Sequence, residues 1–202
     1  MRVDFSAISP REAYGWMTAT ILPRPIAWVS TVSAAGRTNL APFSFFQGVT
    51  ANPPTLMISV VNDRHGNLKD TVRNIGEVPE FVVNVVPYDV REAMNATAAS
   101  LPPEVSEFER CGVPAVPSER VRPPRVGSSP VSYECALHSI VKIGEGPIAG
   151  NVVFGRILVA HVQEAVLGDN GLPDPARLDL IGRLGGAGYA RTTDRFNLVR
   201  PD

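Results

Sequence analysis

The chain has 202 residues, 44% of them hydrophobic and 19% charged, with a formal net charge of −1. That length and apolar content fit a single globular domain, 1–202, able to bury a sizeable core. The charge balance holds no basic excess to neutralise a nucleic-acid backbone, and apolar runs such as Val82 to Val86, broken by Asn84, fall far short of the ~20 residues of a membrane span, so neither nucleic acid nor membrane is an expected partner.

Ser9-Pro10-Arg11-Glu12 opens a helix, with Ser9 suited to the N-cap, Pro10 to the first helical position and Glu12 to closing a capping box. That helix should end near Thr18 or Ala19, ahead of Pro23. Pro25 to Ser33 reads as a strand. Ala34-Ala35-Gly36-Arg37 reads as a hairpin turn with Gly36 at positive φ. Thr38 to Thr50 follows as a longer extended segment, where Pro42 marks an edge, a bulge or an approach to ligand. Asn52-Pro53-Pro54 breaks the chain before a strand over Leu56 to Val61. A short helix over Leu68 to Ile75 is expected next, capped by Asn67 with Asp70 at its third position. A strand over Glu80 to Val86 and a helix over Tyr88 to Ala96, with Asp89 as N-cap, come after it.

Pro102 to Pro130 is proline-rich and irregular, with a helical piece around Val105 to Arg110; its valines mark it as an excursion over the barrel rather than a disordered linker. Ser132 to Ile143 and Val152 to Leu167 are long β runs. Asp169-Asn170-Gly171 is a turn, Pro175 to Ile181 a short helix and Phe196 to Val199 a last strand. Many strands with few intervening helices argue for an antiparallel barrel, mainly β with peripheral helices, an α+β arrangement at its edges.

The histidines His65, His138 and His161 lie far apart and lack metal-ligand spacing, so no metal site is expected. His138 and His161 read as satisfied wall residues, and His65 as a residue at a site edge. Cys111 and Cys135 form no disulfide framework and read as buried or half-buried thiols. With Asp4 early in the chain and no basic-then-apolar leader pattern, the expected location is cytoplasmic. No nucleophile elbow appears. The Gly182 to Gly188 stretch is not the Gly-x-Gly-x-x-Gly of a Rossmann site.

Pro23 to Phe46 mixes hydroxyl, amide and aromatic side chains where a plain barrel wall would be aliphatic. This suits a ligand flat and apolar at one end and anionic at the other, as flavin mononucleotide (FMN) is. Ser30, Thr31, Asn39 and Ser44 are placed to bond its ribityl chain and ring edge, and Phe43, Phe45 and Phe46 to wall the ring; each phenylalanine taken singly reads as core. Lys69-Asp70-Thr71 falls in the first turn of a helix, where free N–H groups and the dipole favour a phosphate; the competing reading is an ordinary solvated turn. Only Lys69 and Lys142 are lysines among the 19 basic residues, so a lysine kept at position 69 points to a compact ammonium.

Pro23-Arg24-Pro25-Ile26-Ala27-Trp28-Val29-Ser30-Thr31, Asn39-Leu40-Ala41-Pro42-Phe43-Ser44-Phe45-Phe46, Pro53-Pro54, Lys69-Asp70-Thr71-Val72-Arg73-Asn74-Ile75, Glu80-Phe81-Val82-Val83-Asn84 and Met94-Asn95-Ala96-Thr97 resemble the flavin reductase-like family, as do Val121 to Val126 and Arg183-Leu184-Gly185-Gly186 with Tyr189. The resemblance implies an FMN-binding split barrel and a homodimer with FMN in a groove near the subunit interface. It implies that Ser30 and Thr31 lie along the phosphate and ribityl side, and that Asn39, Ala41, Pro42, Phe43, Ser44 and Phe45 line the ring. Lys69 and Thr71 would hold the phosphate, and Arg183 and Tyr189, on the late glycine-rich loop, would close over the flavin or its partner-side edge. The activity implied is reduction of the flavin by NADH or NADPH, with no catalytic side chain required. The acceptor would be a partner monooxygenase or another molecule. An FMN-carrying electron-transfer protein and a non-catalytic flavin-binding module are the alternatives.

Overall fold

The computed structural model describes residues 1–201. Helix α1 (Pro10–Thr20) starts with the complete capping box: Glu12 N–H donates to Ser9 Oγ at 3.3 Å, and Ser9 N–H donates to Glu12 Oε2 at 2.9 Å. Strands β1 (Arg24–Pro25), β2 (Ala27–Val32), β3 (Thr38–Phe43), β4 (Phe46–Ala51) and β5 (Pro54–Val61) follow. Gly36 makes the β2–β3 turn at φ 82°. Next come α2 (Asp70–Glu77), β6 (Glu80–Asn84), a 3-10 turn over Tyr88–Val90, α3 (Arg91–Ala96) and α4 (Glu107–Arg110). The chain then forms β7 (Ala115–Val116), β8 (Arg125–Val126), β9 (Val131–Ile143), β10 (Gly150–Val162), α5 (Pro175–Leu178), β11 (Ile181–Arg183) and β12 (Tyr189–Arg191).

The main sheet has seven antiparallel strands in the order β3-β2-β6-β9-β10-β5-β4. Its two end strands, β3 and β4, are joined only by Ser44 and Phe45. Laid flat, the ends would stand about 29 Å apart at ~4.8 Å per strand, and so short a link reaches only ~11 Å. The sheet must therefore curl until its ends approach. The curled interior is filled by Ala27, Val29, Phe43, Ile58, Phe81, Val83, Cys135 and Val153, with Val72 and Ile75 of α2 packed against them. A Cβ on Gly155 would stand 2.2 Å from Phe81 Cζ, so β10 needs glycine at this bulge to let the ring in. A second cluster on the other side of β2 and β3 joins Trp28 and Leu40 to Met94, Phe108 and Ile181, and Trp28 Nε1–H donates to Thr97 Oγ1 at 2.8 Å.

The stretch 102–130 is irregular but fastened to the barrel. Glu134, fully buried in β9, accepts from Glu119 N–H at 2.8 Å and Arg120 N–H at 2.7 Å. Asn84 Oδ1 accepts from Val126 N–H at 2.9 Å, and Glu107 Oε2 accepts from Leu40 N–H at 2.8 Å. Burial pushes the Glu134 carboxyl up, but those two N–H donors and His161 outweigh it and hold it below the ordinary range.

Several elements depart from expectation. The extended run from Thr38 breaks at Ser44–Phe45, because β3 and β4 belong to opposite ends of the sheet; β3 is an end strand, where Pro42 is tolerated. Helix α2 begins two residues later than expected, with Lys69 at the N-cap and Asp70 at the first helical position. Asn67 is not the cap: its side chain donates to Asp63 Oδ2 at 3.2 Å within the preceding loop. Pro87, not Asp89, precedes the 3-10 turn. Helix α5 stops at Leu178 because Asp179 turns left-handed at φ 46°. Phe196 to Val199 forms no strand; the last pairing is β11 with β12. His161 is paired with Glu134 as a wall histidine should be, at 2.6 Å, whereas His138 is exposed.

Candidate functional site

Side chains alternate along β2 and β3. The register Ala27↔Phe43, Val29↔Ala41, Thr31↔Asn39 puts these six residues on one face. Helix α2 lies across that face, burying Thr71, Val72, Asn74 and Ile75. Two polar contacts fix the crossing: Asn74 Nδ2 donates to Thr31 Oγ1 at 3.0 Å, and Asn39 Nδ2 donates to Thr71 Oγ1 at 3.2 Å. Lys69 Nζ stands 5.9 Å from the centre of the Phe43 ring. Beside this crossing opens a cavity of about 560 Å³ lined by Asn39, Ala41, Leu68, Lys69, Thr71 and Glu107, with the Thr97–Leu101 segment as its far wall.

The start of α2 is left open on the cavity side. No side chain caps it. Val72 and Arg73 N–H both turn back to the Lys69 carbonyl, at 3.0 and 3.1 Å. The N–H groups of Asp70 and Thr71 find no acceptor among the described residues. Each carboxylate around the cavity already has a partner. Asp63 accepts from His65 and Asn67 N–H, both at 2.8 Å, which keeps it below the ordinary carboxylate range. Asp70 pairs with Arg73, and Glu107 with the Leu40 N–H. Burial, working against that bond, raises the Glu107 carboxyl above the usual range. Lys69 has no carboxylate within salt-bridge distance among the described residues.

The site residues read from sequence separate into groups. Asn39, Ala41, Lys69 and Thr71 line the cavity, and Thr31 and Phe43 share its face through Asn74 and Lys69. Ser30 and Pro42 fall on the opposite face, with Leu40 and Trp28; Ser30 is fully buried and its Oγ is without a partner among the described residues. Ser44 and Arg183 line a second cavity of about 340 Å³, and Phe45 packs at 6.0 Å from Tyr14, another residue of that lining. Tyr189 lines a third cavity, about 390 Å³, while touching Arg183. His65 lines none of these. Sequence reasoning missed Glu107 and Asn74. Asn74 carried a signal, a polar residue on the buried stripe of α2; Glu107 carried none, because only tertiary packing brings it to β3. No group of three or more potential metal ligands occurs among the described residues.

The donor set fits a ligand with one anionic end. Two free N–H groups and an unpaired ammonium meet at the α2 start, amide and hydroxyl groups stand beside them, and Ala41, Leu68 and Leu101 give apolar walls.

The model of the flavin reductase like domain family matches residues 17–176. Nitrilotriacetate monooxygenase component B from Bacillus cereus is 34% identical, with 98% of each chain covered and a TM-score of 0.92. The 2-nitrobenzoate 2-nitroreductase of Pseudomonas fluorescens is 32% identical, covering 100% of this chain and 96% of its own, with a TM-score of 0.87. A split barrel domain protein from Shewanella frigidimarina NCIMB 400, 20% identical with each chain fully covered, superposes with a TM-score of 0.85, so the curled sheet is that fold.

Proposed function

Because this chain belongs to the flavin reductase-like family, we propose that it binds FMN in the cavity beside α2 and takes electrons for it from NADH or NADPH. The open helix start carries this reading: a phosphate there gains two N–H donors and the Lys69 charge with no cap to displace. Thr71 and Asn39 bond the hydroxylated chain beside the phosphate. Phe43 and Ala41 provide the apolar wall. The loop from Thr97 to Leu101, together with Glu107 of α4, would keep water from that side. A bound flavin supplies the electron transfer itself, accepting a pair from the nicotinamide and giving it up to the acceptor. Thr31 would support the site through Asn74, Ser44, Phe45, Arg183 and Tyr189 would act from the rim, and Ser30 and Pro42, on the opposite face, would contribute main-chain groups alone.

The Bacillus cereus relative is a monooxygenase component, which supports delivery of electrons to a partner oxygenase. The nitroreductase relative favours a second reading, in which an organic acceptor is reduced at this same site. A cytoplasmic homodimer with the site near its interface is part of the proposal. The test is FMN titration followed by stopped-flow mixing with NADH and with NADPH. Binding with rapid bleaching of the flavin absorbance is expected. A protein that binds no FMN, or whose bound FMN neither nucleotide reduces, overturns the reading.

A further inference from the structure

The second cavity has a charge pattern unlike the first. It lies where α1, β1, the β3–β4 link and the loop after β11 meet, and Arg11, Arg24 and Arg183 stand around it with Tyr14 and Ser44. Arg24 is only 5% exposed. Its guanidinium donates to the carbonyls of Thr18 and Ile21, both at 2.7 Å, to that of Leu184 at 2.9 Å and to Ser44 Oγ at 3.3 Å. All of these acceptors are neutral. Arg183 donates to the Gly186 carbonyl at 2.6 Å and stacks on Tyr189. No carboxylate lies within salt-bridge distance of any of the three arginines among the described residues, and none lines the cavity. Burial lowers the Arg24 pKa; Tyr14 works against that and the like charge of Arg183 adds to it. Cations gathered around one hollow without a counter-charge are costly unless an anion completes the set.

We propose that this cavity is a subsite for the anionic group, phosphate or carboxylate, of the second substrate, the one that exchanges electrons with the flavin. The inference rests on the flavin reading above. Ser44 ties the two places together: it accepts from Arg24 on one side and adjoins Phe43, which meets Lys69, on the other. In this proposal a molecule anchored on the arginines extends toward the flavin cavity across the Phe43–Phe45 link. Arg11 is exposed on α1 and outside the flavin cavity, so it can be changed without disturbing either the fold or flavin binding.

Calorimetric titration of the purified chain, with and without FMN, tests this with ADP-ribose for the phosphate source, benzoate for the carboxylate source and adenosine as the uncharged control. At least one anion is expected to bind, more weakly as salt rises, while adenosine does not. Arg11→Gln should weaken that anion about five- to tenfold, Arg11→Lys should restore part of the loss, and FMN affinity should stay the same. ADP-ribose binding assigns the subsite to a dinucleotide and benzoate binding to a carboxylated acceptor. Absence of binding by both anions, or affinity unchanged in Arg11→Gln, overturns the subsite. Anion binding by a chain that takes up no FMN overturns the flavin reading instead, and the two failures are thereby told apart.

Discussion

Two helix starts of this barrel, those of α1 and α2, have opposite solutions to the same problem. Every helix begins with N–H groups that lack partners inside the helix. Helix α1 answers them with its own residues, Ser9 and Glu12. Helix α2 has Lys69 at the corresponding place, whose side chain has no acceptor to offer, and no side chain caps it. A capped start is finished as a piece of structure, whereas an uncapped one bordered by a cation and a cavity is arranged for something brought from outside. The contrast separates stability from binding, and substitutions at the two starts should separate them experimentally.

The largest effect is expected from Lys69→Asp. It supplies α2 with an N-cap acceptor and replaces the cation facing the ligand with an anion, so FMN binding should disappear while Tm holds or rises by a few degrees. A drop in both would dissolve the contrast. Lys69→Ala removes the charge alone and should weaken FMN by about tenfold to a hundredfold, the worth of one charge-assisted contact; fluorescence titration reads it, and unchanged affinity contradicts the phosphate role. Thr71→Val takes away one hydroxyl and the acceptor of Asn39, and should weaken FMN about three- to tenfold. Ser9→Ala is the control at the other helix, expected to lower Tm by about 2–4 °C with FMN affinity unchanged.

The α1 box also has a pH signature. Bonds from the Ser9 side chain and backbone hold the Glu12 carboxyl below its ordinary value. A carboxyl depressed in the folded state contributes stability that is full above its unfolded pKa and is lost as pH falls through the folded one. Ser9→Ala should therefore matter most near neutrality, and its difference from the parent chain should narrow in acid to the worth of the Glu12 N–H to Ser9 Oγ bond. Thermal melts across that range check it.

Much of the fold was legible because it is written in neighbouring residues. The capping box, the Gly36 turn and the run that forms β9 depend on groups a few positions apart, and they appear where the sequence put them; β10 instead ends at Val162, five residues short of the expected Leu167, and a 3-10 turn over Glu164–Val166 takes the remainder. Errors fell where a residue had two local partners to choose from. Asn67 suits an N-cap in isolation, but Asp63 engages it first and the helix starts beyond it. Phe196 to Val199 has a β composition and no neighbouring strand to join. Ser30 and Thr31 are expected together along the ligand, although neighbouring residues of a strand face opposite ways. Thr31 meets the face that α2 covers and Ser30 the other one, as decided by where α2 docks.

The sequence by itself determined most of the strands, the capped start of α1 and a cation at the start of α2, since hydrogen bonding and periodicity over a few residues are sufficient for each. Tertiary structure decided the rest. Closure of the sheet by a link too short for a flat one brought Asn39 to Thr71 and Thr31 to Asn74. The packing of α1 against the loop after β11 gathered Arg11, Arg24 and Arg183, residues from distant parts of the chain, around one hollow. A cavity is a property of surfaces that meet, and no local pattern encodes which surfaces those are.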